Sequence, residues 1–136
     1  MVKASAPGKC ILFGEHAVVY GQPALACSIS QRMTIELKEE KTFDTWRLDG
    51  RTFNPKKHPH IDYLRKQLPP IEEHPIHIRI RGSIPKASGL GSSAALSVAL
   101  CGALQQLRGA DLNPMQASEL SHRAEANAQG GRASPM

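Results

Sequence analysis

The alternation of apolar and polar positions is clearest at residues 76–81, where isoleucine alternates with histidine and arginine. A period of two predicts a β-strand with one buried face and one basic face. Shorter apolar segments predict further strands at residues 2–6, 9–13, 23–30, 33–37 and 45–48. We expect the first strand to end at residues 7–8, a two-residue hairpin turn at 31–32 and another turn at 49–50.

Three segments predict helices. Between residues 94 and 107 apolar side chains repeat at helical spacing, and the first turns of that helix are apolar on nearly every side. Such a helix is expected to lie between a sheet and a second element. A second helix is predicted at residues 61–68, and a third begins with Asn113 as N-cap and Pro114 in its first turn. Strands combined with helices in this order predict a mixed α/β (α+β) fold.

Composition limits the class of protein. The 136 residues suffice for one domain with a core, and the formal charge of +5 suits anionic small molecules. The basic residues are dispersed and aromatic residues make up only 4%, so no nucleic-acid partner is predicted.

The cysteines and the apolar runs bear on the compartment. Cys10, Cys27 and Cys101 lack C-x-x-C spacing and lie in apolar segments, which predicts reduced core residues of an intracellular protein. No signal-peptide pattern is visible, and the apolar run at residues 94–104 is too short to span a membrane. We therefore expect a cytoplasmic protein without a membrane partner.

The candidate chemistry is concentrated in a glycine-serine segment that runs into the apolar helix. It comprises Pro85, Lys86, Ala87, Ser88, Gly89, Leu90, Gly91, Ser92, Ser93, Ala94 and Ala95. Unpaired amides and the positive end of a helix dipole at this point favour a phosphate-sized anion. The interpretation is that the loop holds nucleotide phosphates and that one serine hydroxyl reaches the metal.

Other functions for this loop are less well supported. Many such segments are only N-caps or turns. The pattern G-x-G-x-x-A also fits a dinucleotide fingerprint, but the segment after the helix does not resemble the second strand of a βαβ unit. Phosphate binding is therefore favoured over dinucleotide binding.

Other polar residues carry weaker signals when taken alone. Lys9, Glu15 and His16 lie around an apolar strand, and the favoured interpretation from the residues alone is that Lys9 and Glu15 form an ion pair or face solvent. Glu125 lies beside the apolar face of the third helix, and an exposed glutamate is the favoured interpretation. The four histidines of the central region have metal-like spacings but lie in charge-rich, proline-containing stretches, so a zinc site is disfavoured. Trp46 is interpreted as a packing residue.

Two of these segments together resemble a known family. Residues 6–9 (A-P-G-K) and 13–21 (F-G-E-H-A-V-V-Y-G) resemble the N-terminal signature of the mevalonate kinases. Residues 85–95 resemble the phosphate loop of their superfamily, which also holds galactokinase, homoserine kinase and phosphomevalonate kinase. The resemblance covers the chain from end to end.

The resemblance implies a fold and an activity. The activity is ATP-dependent phosphorylation of the primary hydroxyl of (R)-mevalonate to 5-phosphomevalonate, with ATP as co-substrate and Mg²⁺ as cofactor. Residues 1–136 would be the N-terminal domain that binds ATP and substrate. The implied fold resembles domain 2 of a ribosomal protein and contains a left-handed βαβ crossover.

The resemblance also implies roles for individual residues. Lys9 would be catalytic beside the reacting hydroxyl, and residues 85–95 would hold the ATP phosphates. Ser93 and Glu125 would bind Mg²⁺. The mevalonate-binding residues would be His16, Glu15 and Ser134.

The chain departs from the family pattern at three places. Ala87 stands where the family often has glycine, and the spacing after Glu125 is one residue longer than usual. The family's catalytic aspartate would follow Met136. We therefore expect an N-terminal fragment, without the C-terminal domain, that does not turn over by itself.

Three functional interpretations stay open. The first is a mevalonate kinase, and the second is a related small-molecule kinase such as phosphomevalonate kinase. The third is a non-enzymatic α/β domain that binds the phosphates of a nucleotide or of RNA. A homodimer is also left open.

Overall fold

The computed structural model describes residues 1–14, 20–42, 44–69, 74–84, 90–110 and 113–128. These residues form five strands and three helices, numbered in chain order. The strands are β1 (Val2–Phe13), β2 (Leu25–Glu39), β3 (Arg47–Leu48), β4 (Arg51–Thr52) and β5 (Ile76–Gly82). The helices are α1 (Pro59–Gln67), α2 (Ser92–Leu107) and α3 (Pro114–Ala128).

The strands form one mixed sheet in the order β1-β2-β5-β3-β4. Strand β3 pairs in parallel with β5, and the other neighbours are antiparallel. The predicted mixed α/β fold is confirmed. Helix α1 lies between β3 and β5 along the chain. The left hand of a crossover at this point stays a prediction, as does the likeness to a ribosomal-protein domain.

Helix α2 lies at the centre of the core. It contacts β1 and β2 as well as α3, as its apolar first turns predict. Its buried side chains include Ala99, Leu100, Ala103 and Leu104. The sheet contributes Ile35, Leu37, Ile76 and Ile78 to the same core. Strand β5 therefore has the predicted buried face, while Arg79 and Arg81 are exposed on the other.

The first predicted strand does not stop at Pro7 and Gly8, so that prediction is wrong. Strand β1 continues through both residues, and its register against β2 shifts there: Pro7 pairs with Arg32, whereas Lys9 pairs with Ser28. Proline has no N–H to donate to a ladder. The strand accommodates it by an irregular register and not by ending.

The predicted hairpin turn at Gln31 and Arg32 is also wrong, because both residues lie inside β2. Arg32 Nε donates to Ser5 Oγ at 3.0 Å, and its guanidinium also donates to the Ser5 carbonyl oxygen at 3.2 Å. A two-residue turn needs positive φ angles, which glycine and asparagine supply. Neither is present, and long-range pairing with β1 keeps the strand continuous.

Other local predictions are confirmed. Asp49 and Gly50 adopt φ angles of 49° and 83° and join β3 to β4. The Asn113 side chain accepts hydrogen bonds from the backbone N–H groups of Met115 and Gln116 at 3.0 and 3.2 Å. Trp46 packs against the core.

The cysteines only partly follow the prediction of core residues. Cys101 is buried and Cys10 is half-buried, but Cys27 is exposed. The first residues of β2, from Leu25 to Ser28, are all exposed because this end of the strand extends beyond the core. In the part of the chain that the structure describes, we find no helix long and apolar enough to cross a bilayer.

Candidate active site

Strand β1 comes very close to the start of α2. The Lys9 N–H donates to the Leu90 carbonyl oxygen at 2.8 Å. A Cβ at Gly8 would lie 2.6 Å from that oxygen, and a Cβ at Gly91 would lie 2.8 Å from Lys9 Cγ. Gly91 also has a φ of 74°, a backbone angle that residues other than glycine rarely adopt. The two glycines therefore allow the stem of Lys9 to lie across the N-terminus of α2.

The N-terminus of α2 has unpaired backbone donors. Gly91 is its N-cap residue and accepts the first helical hydrogen bond from Ala95 N–H at 2.9 Å. Within the described residues no side chain caps this end, and the first turn contains no acidic residue. The amides of Ser92, Ser93 and Ala94 thus lack intrahelical partners and lie at the positive end of the dipole. This arrangement favours an anion such as a phosphate.

Glu125 of α3 is buried and contacts side chains from α1 and α2. Ser93 Oγ lies 2.9 Å from both carboxylate oxygens, and Ser97 Oγ donates to Oε1 at 3.2 Å. His60 Nε2, from α1, lies 3.2 Å from the same Oε1. Glu125 is only 4% exposed. The interpretation of Glu125 as an exposed helix residue, favoured from the residues alone, is therefore wrong.

This environment favours the ionised form of Glu125. Burial raises the pKa of its carboxyl group, but hydrogen bonds from His60 and Ser93, the charge of His60 and a hydrogen bond from Ser97 outweigh burial. The net result is a pKa below the usual range of glutamate. An ionised carboxylate beside a hydroxyl oxygen is a donor set that suits Mg²⁺.

The spacing of these two oxygen ligands also fits such a cation. Ser93 Oγ lies at hydrogen-bond distance, 2.9 Å, from the Glu125 carboxylate. Two neighbouring ligands of an octahedral Mg²⁺ are separated by about the same distance, so both oxygens could bind one cation without moving far. The described residues contain no group of three or more His, Cys, Asp or Glu side chains that could hold a metal ion. Two protein ligands agree with a Mg²⁺ that takes its other ligands from phosphates and water.

Lys9 brings a cationic group to the same region. Burial lowers the pKa of its ammonium group, while the attraction of Glu125 acts in the opposite direction. Its stem contacts the N-terminus of α2, so Lys9 lies on the side of the sheet where α2 begins at Ser92. The charges of Lys9 and Glu125 and the helix amides therefore act on one small volume.

A cavity of about 530 Å³ opens beside this region, between the β1–β2 pair and the first turns of α2. Its volume falls within the range of roughly 300–1,000 Å³ that is typical of small-molecule sites. Most of its lining is apolar, and Lys9, Gln22 and Ser28 supply polar groups. Gly91 and Ala94 form part of its wall, so the cavity reaches the N-terminus of α2.

The predicted site residues fall into two groups. The structure brings together Lys9, Leu90, Gly91, Ser92, Ser93, Ala94, Ala95 and Glu125. Outside the described residues lie Glu15, His16, Pro85, Lys86, Ala87, Ser88, Gly89 and Ser134.

Two contacts of Glu125 were missed by sequence reasoning. Ser97 lies one helical turn after Ser93 and so shares its face, a spacing that could have indicated it. His60 belongs to the histidine spacings for which a zinc site is disfavoured, and no signal in the sequence connects it with α3.

The comparison with protein families identifies the class. The model of the GHMP kinases N terminal domain matches residues 57–136. The chain therefore belongs to the GHMP kinases, which confirms the superfamily predicted from its two motifs.

Similar proteins within this class include several mevalonate kinases. That of Methanothermobacter thermautotrophicus is 42% identical over 137 residues, covering 98% of this chain and 45% of that kinase. The structure of the Methanococcus jannaschii mevalonate kinase has a TM-score of 0.82 at 28% identity, covering 98% of this chain and 48% of the other. The L. major mevalonate kinase, solved in complex with R-mevalonate, has a TM-score of 0.75 at 25% identity, covering 99% and 44%. The chain spans about half the length of the curated relatives it matches.

Proposed function

We propose that this chain is the ATP- and substrate-binding part of a mevalonate kinase, which phosphorylates the primary hydroxyl of (R)-mevalonate. The observation that carries the proposal is the convergence of Lys9, Ser93 and Glu125 at the glycine-led start of α2. Phosphoryl transfer requires positioning and charge neutralisation more than covalent chemistry. A cation, an anion-binding helix end and a metal-binding carboxylate supply those requirements.

The ATP phosphates are assigned to the N-terminus of α2. The amides of Ser92, Ser93 and Ala94 would donate to phosphate oxygens. Residues 85–89 are kept as further proposed contacts of the phosphates. Ser93 and Glu125 would hold Mg²⁺, which when bound neutralises charge on the phosphates. His60 and Ser97 would keep the Glu125 carboxylate in place.

The acceptor hydroxyl is assigned to the Lys9 side of the cavity. In the proposed reaction the mevalonate hydroxyl would give its proton to the catalytic aspartate that the resemblance puts after Met136, and its oxygen would bond to the γ-phosphorus. The bond from that phosphorus to the bridging oxygen would break, and ADP would leave. The Lys9 ammonium would stabilise the negative charge that develops on the acceptor oxygen. Glu15, His16 and Ser134 are kept as the proposed contacts of mevalonate.

Several finer expectations belong to this proposal. The isolated chain is expected not to turn over, because the resemblance puts the catalytic aspartate after Met136. The fold is proposed to be of the ribosomal-protein domain 2 type with a left-handed crossover, and the location to be cytoplasmic. Phosphomevalonate kinase stays the alternative enzyme, and a domain that binds RNA phosphates stays the non-enzymatic alternative.

Nucleotide binding is tested by the thermal stability of the chain with ATP, with and without Mg²⁺. A ligand at 100 times its Kd stabilises the folded state by about 2.7 kcal/mol. We expect Ser93→Ala to remove most of the Mg²⁺-dependent part. Ser92→Ala is the matched control, since it deletes a hydroxyl about 100° away around the helix and keeps the amide. No stabilisation by Mg²⁺ and ATP, or equal losses in both variants, would contradict the proposal. RNA binding that falls steeply with salt would favour the third interpretation.

Substrate choice is tested with two ligands and with a chimera. Mevalonate, but not its 5-phosphate, should protect the chain from thermal unfolding; the reverse would favour phosphomevalonate kinase. Turnover is measured on a chimeric enzyme, in which residues 1–136 of this chain replace the corresponding segment of the Methanothermobacter kinase. Lys9→Met should lower its turnover by about 10²–10⁴-fold. The control Lys3→Met should not, because Lys3 is 65% exposed and lies 3.9 Å from Glu36 on the sheet.

A further inference from the structure

Two cysteines lie opposite each other on the antiparallel strands β1 and β2. Cys10 and Cys27 are register partners, one position along from the pair of Lys9 and Ser28. Both thiols are free. Directly opposed residues of an antiparallel pair project to the same face, with Cα atoms about 4.5–5.5 Å apart. That separation falls within the range of roughly 4.4–6.8 Å found in disulfides.

The two thiols differ in access. Cys27 is exposed and Cys10 is half-buried, so a reagent in solution meets Cys27 first. The third cysteine does not compete, since Cys101 is buried and burial raises its pKa to about 11. The register also shifts on either side of the pair, between Pro7 and Lys9 and between Ile11 and Phe13. Such irregularities disrupt the hydrogen-bond ladder locally and increase the twist of the strand pair.

We propose that Cys10 and Cys27 form a reversible cross-strand disulfide by exchange with a low-molecular-weight disulfide. The Cys27 thiolate attacks one sulfur of the small disulfide, whose S–S bond breaks as the first small thiolate leaves. The Cys10 thiolate then attacks the Cys27 sulfur of the mixed disulfide and releases the second small thiolate. The two cysteines lose two protons and two electrons, and the small disulfide takes up both as two thiols.

The bond would join the two strands that form one wall of the cavity. Its sulfur atoms would lie on the face opposite to the neighbouring pairs Lys9–Ser28 and Ile11–Ala26, whose residues line the cavity. The bond would close the loop of residues 11–26. Closing a loop of this size restricts the unfolded chain, and we expect the unfolding midpoint to rise by roughly 5–10 °C.

The test uses the 136-residue chain and oxidised glutathione under native conditions. Intact-mass and peptide-mapping mass spectrometry should find a bond between Cys10 and Cys27, with the loss of two hydrogen atoms and no retained glutathione. Reduction with dithiothreitol should reverse it. In Cys10→Ser the reaction should stop at a glutathione adduct on Cys27, because the resolving thiol is gone.

A double variant supplies the matched control. Cys27→Ser combined with Ser28→Cys moves the exposed thiol by one residue, to the position that pairs with Lys9. Successive strand residues project to opposite faces, so this thiol should not close a bond with Cys10. Three outcomes would overturn the proposal: a wild-type chain that retains glutathione on Cys27, disulfide-linked dimers, or equal closure in the double variant.

Discussion

The contact between Ser93 and Glu125 can be tested without any ligand, by a double-mutant cycle. Ser93→Ala removes a hydroxyl that lies 2.9 Å from the carboxylate, and Glu125→Gln removes the charge at nearly constant volume. A hydrogen bond to a charged group contributes about 1.5–3 kcal/mol. Ser97 and His60 remain as donors to Glu125, which reduces the loss of stability. We therefore expect each single variant to lower the free energy of unfolding by about 1–2 kcal/mol.

The double variant measures how strongly Ser93 and Glu125 interact. If Ser93 acts through Glu125, the double variant should lose about 1 kcal/mol less than the sum of the two single losses. The measurement is urea-induced unfolding at pH 7, with the free energy extrapolated to water. Independent sites add within about 0.5 kcal/mol. A coupling energy inside that margin would refute the placement of Ser93 against the carboxylate.

A second cycle serves as control. Ser92→Ala combined with Glu125→Gln uses the residue that precedes Ser93 on α2. Because consecutive helical residues project about 100° apart, this cycle should be additive. Coupling of equal size in both cycles would mean that Glu125→Gln disturbs the helix end as a whole.

Three further predictions concern the backbone, an ion pair and a thiol. In urea unfolding, Gly91→Ala should destabilise the chain by about 1 kcal/mol more than Gly109→Ala. Both glycines have a positive φ. A methyl group at position 91 would collide with the Lys9 side chain, whereas one at position 109 would meet open space. Burial raises the pKa of Asp62, but hydrogen bonds and charges from Lys66 and Arg65 outweigh it and lower the pKa overall. Asp62→Asn should therefore lower the free energy of unfolding by about 0.5 kcal/mol at pH 7. The difference from wild type should disappear as the pH falls below about 4 and through the lowered pKa of the folded state, because Asp62 is then protonated. Unfolding curves between pH 7 and 3 measure it. Cys101, whose pKa is raised to about 11, should resist iodoacetamide at pH 8 in the folded chain and react after unfolding, as measured by peptide mass spectrometry.

Local chemistry allowed the sequence to predict several elements correctly. The alternation in β5, the apolar repeat of α2 and the N-cap at Asn113 each depend on neighbouring residues, and each is confirmed. The turn at Asp49 and Gly50 is of the same kind. In these cases the chain needs no distant partner to select the structure.

Predictions failed where distant pairing selects the structure. Strand β2 is longer than its apolar segments suggested because β1 pairs with it beyond the expected turn. The same extension carries Cys27 out of the core, although the residue lies in an apolar run. Apolar sequence indicated burial there, but residues 25–28 are all exposed.

The environment of Glu125 shows the same limit at the candidate site. Its donors come from α1 and α2, so the periodicity of α3 alone could not indicate that the carboxylate is buried and hydrogen-bonded. Only the resemblance to a kinase family gave Glu125 a role. This environment also bears on the proposed metal site, because His60 and Ser97 hold the carboxylate before any metal binds. Metal binding would then displace the hydrogen bond from Ser93, while His60 and Ser97 keep the carboxylate in position.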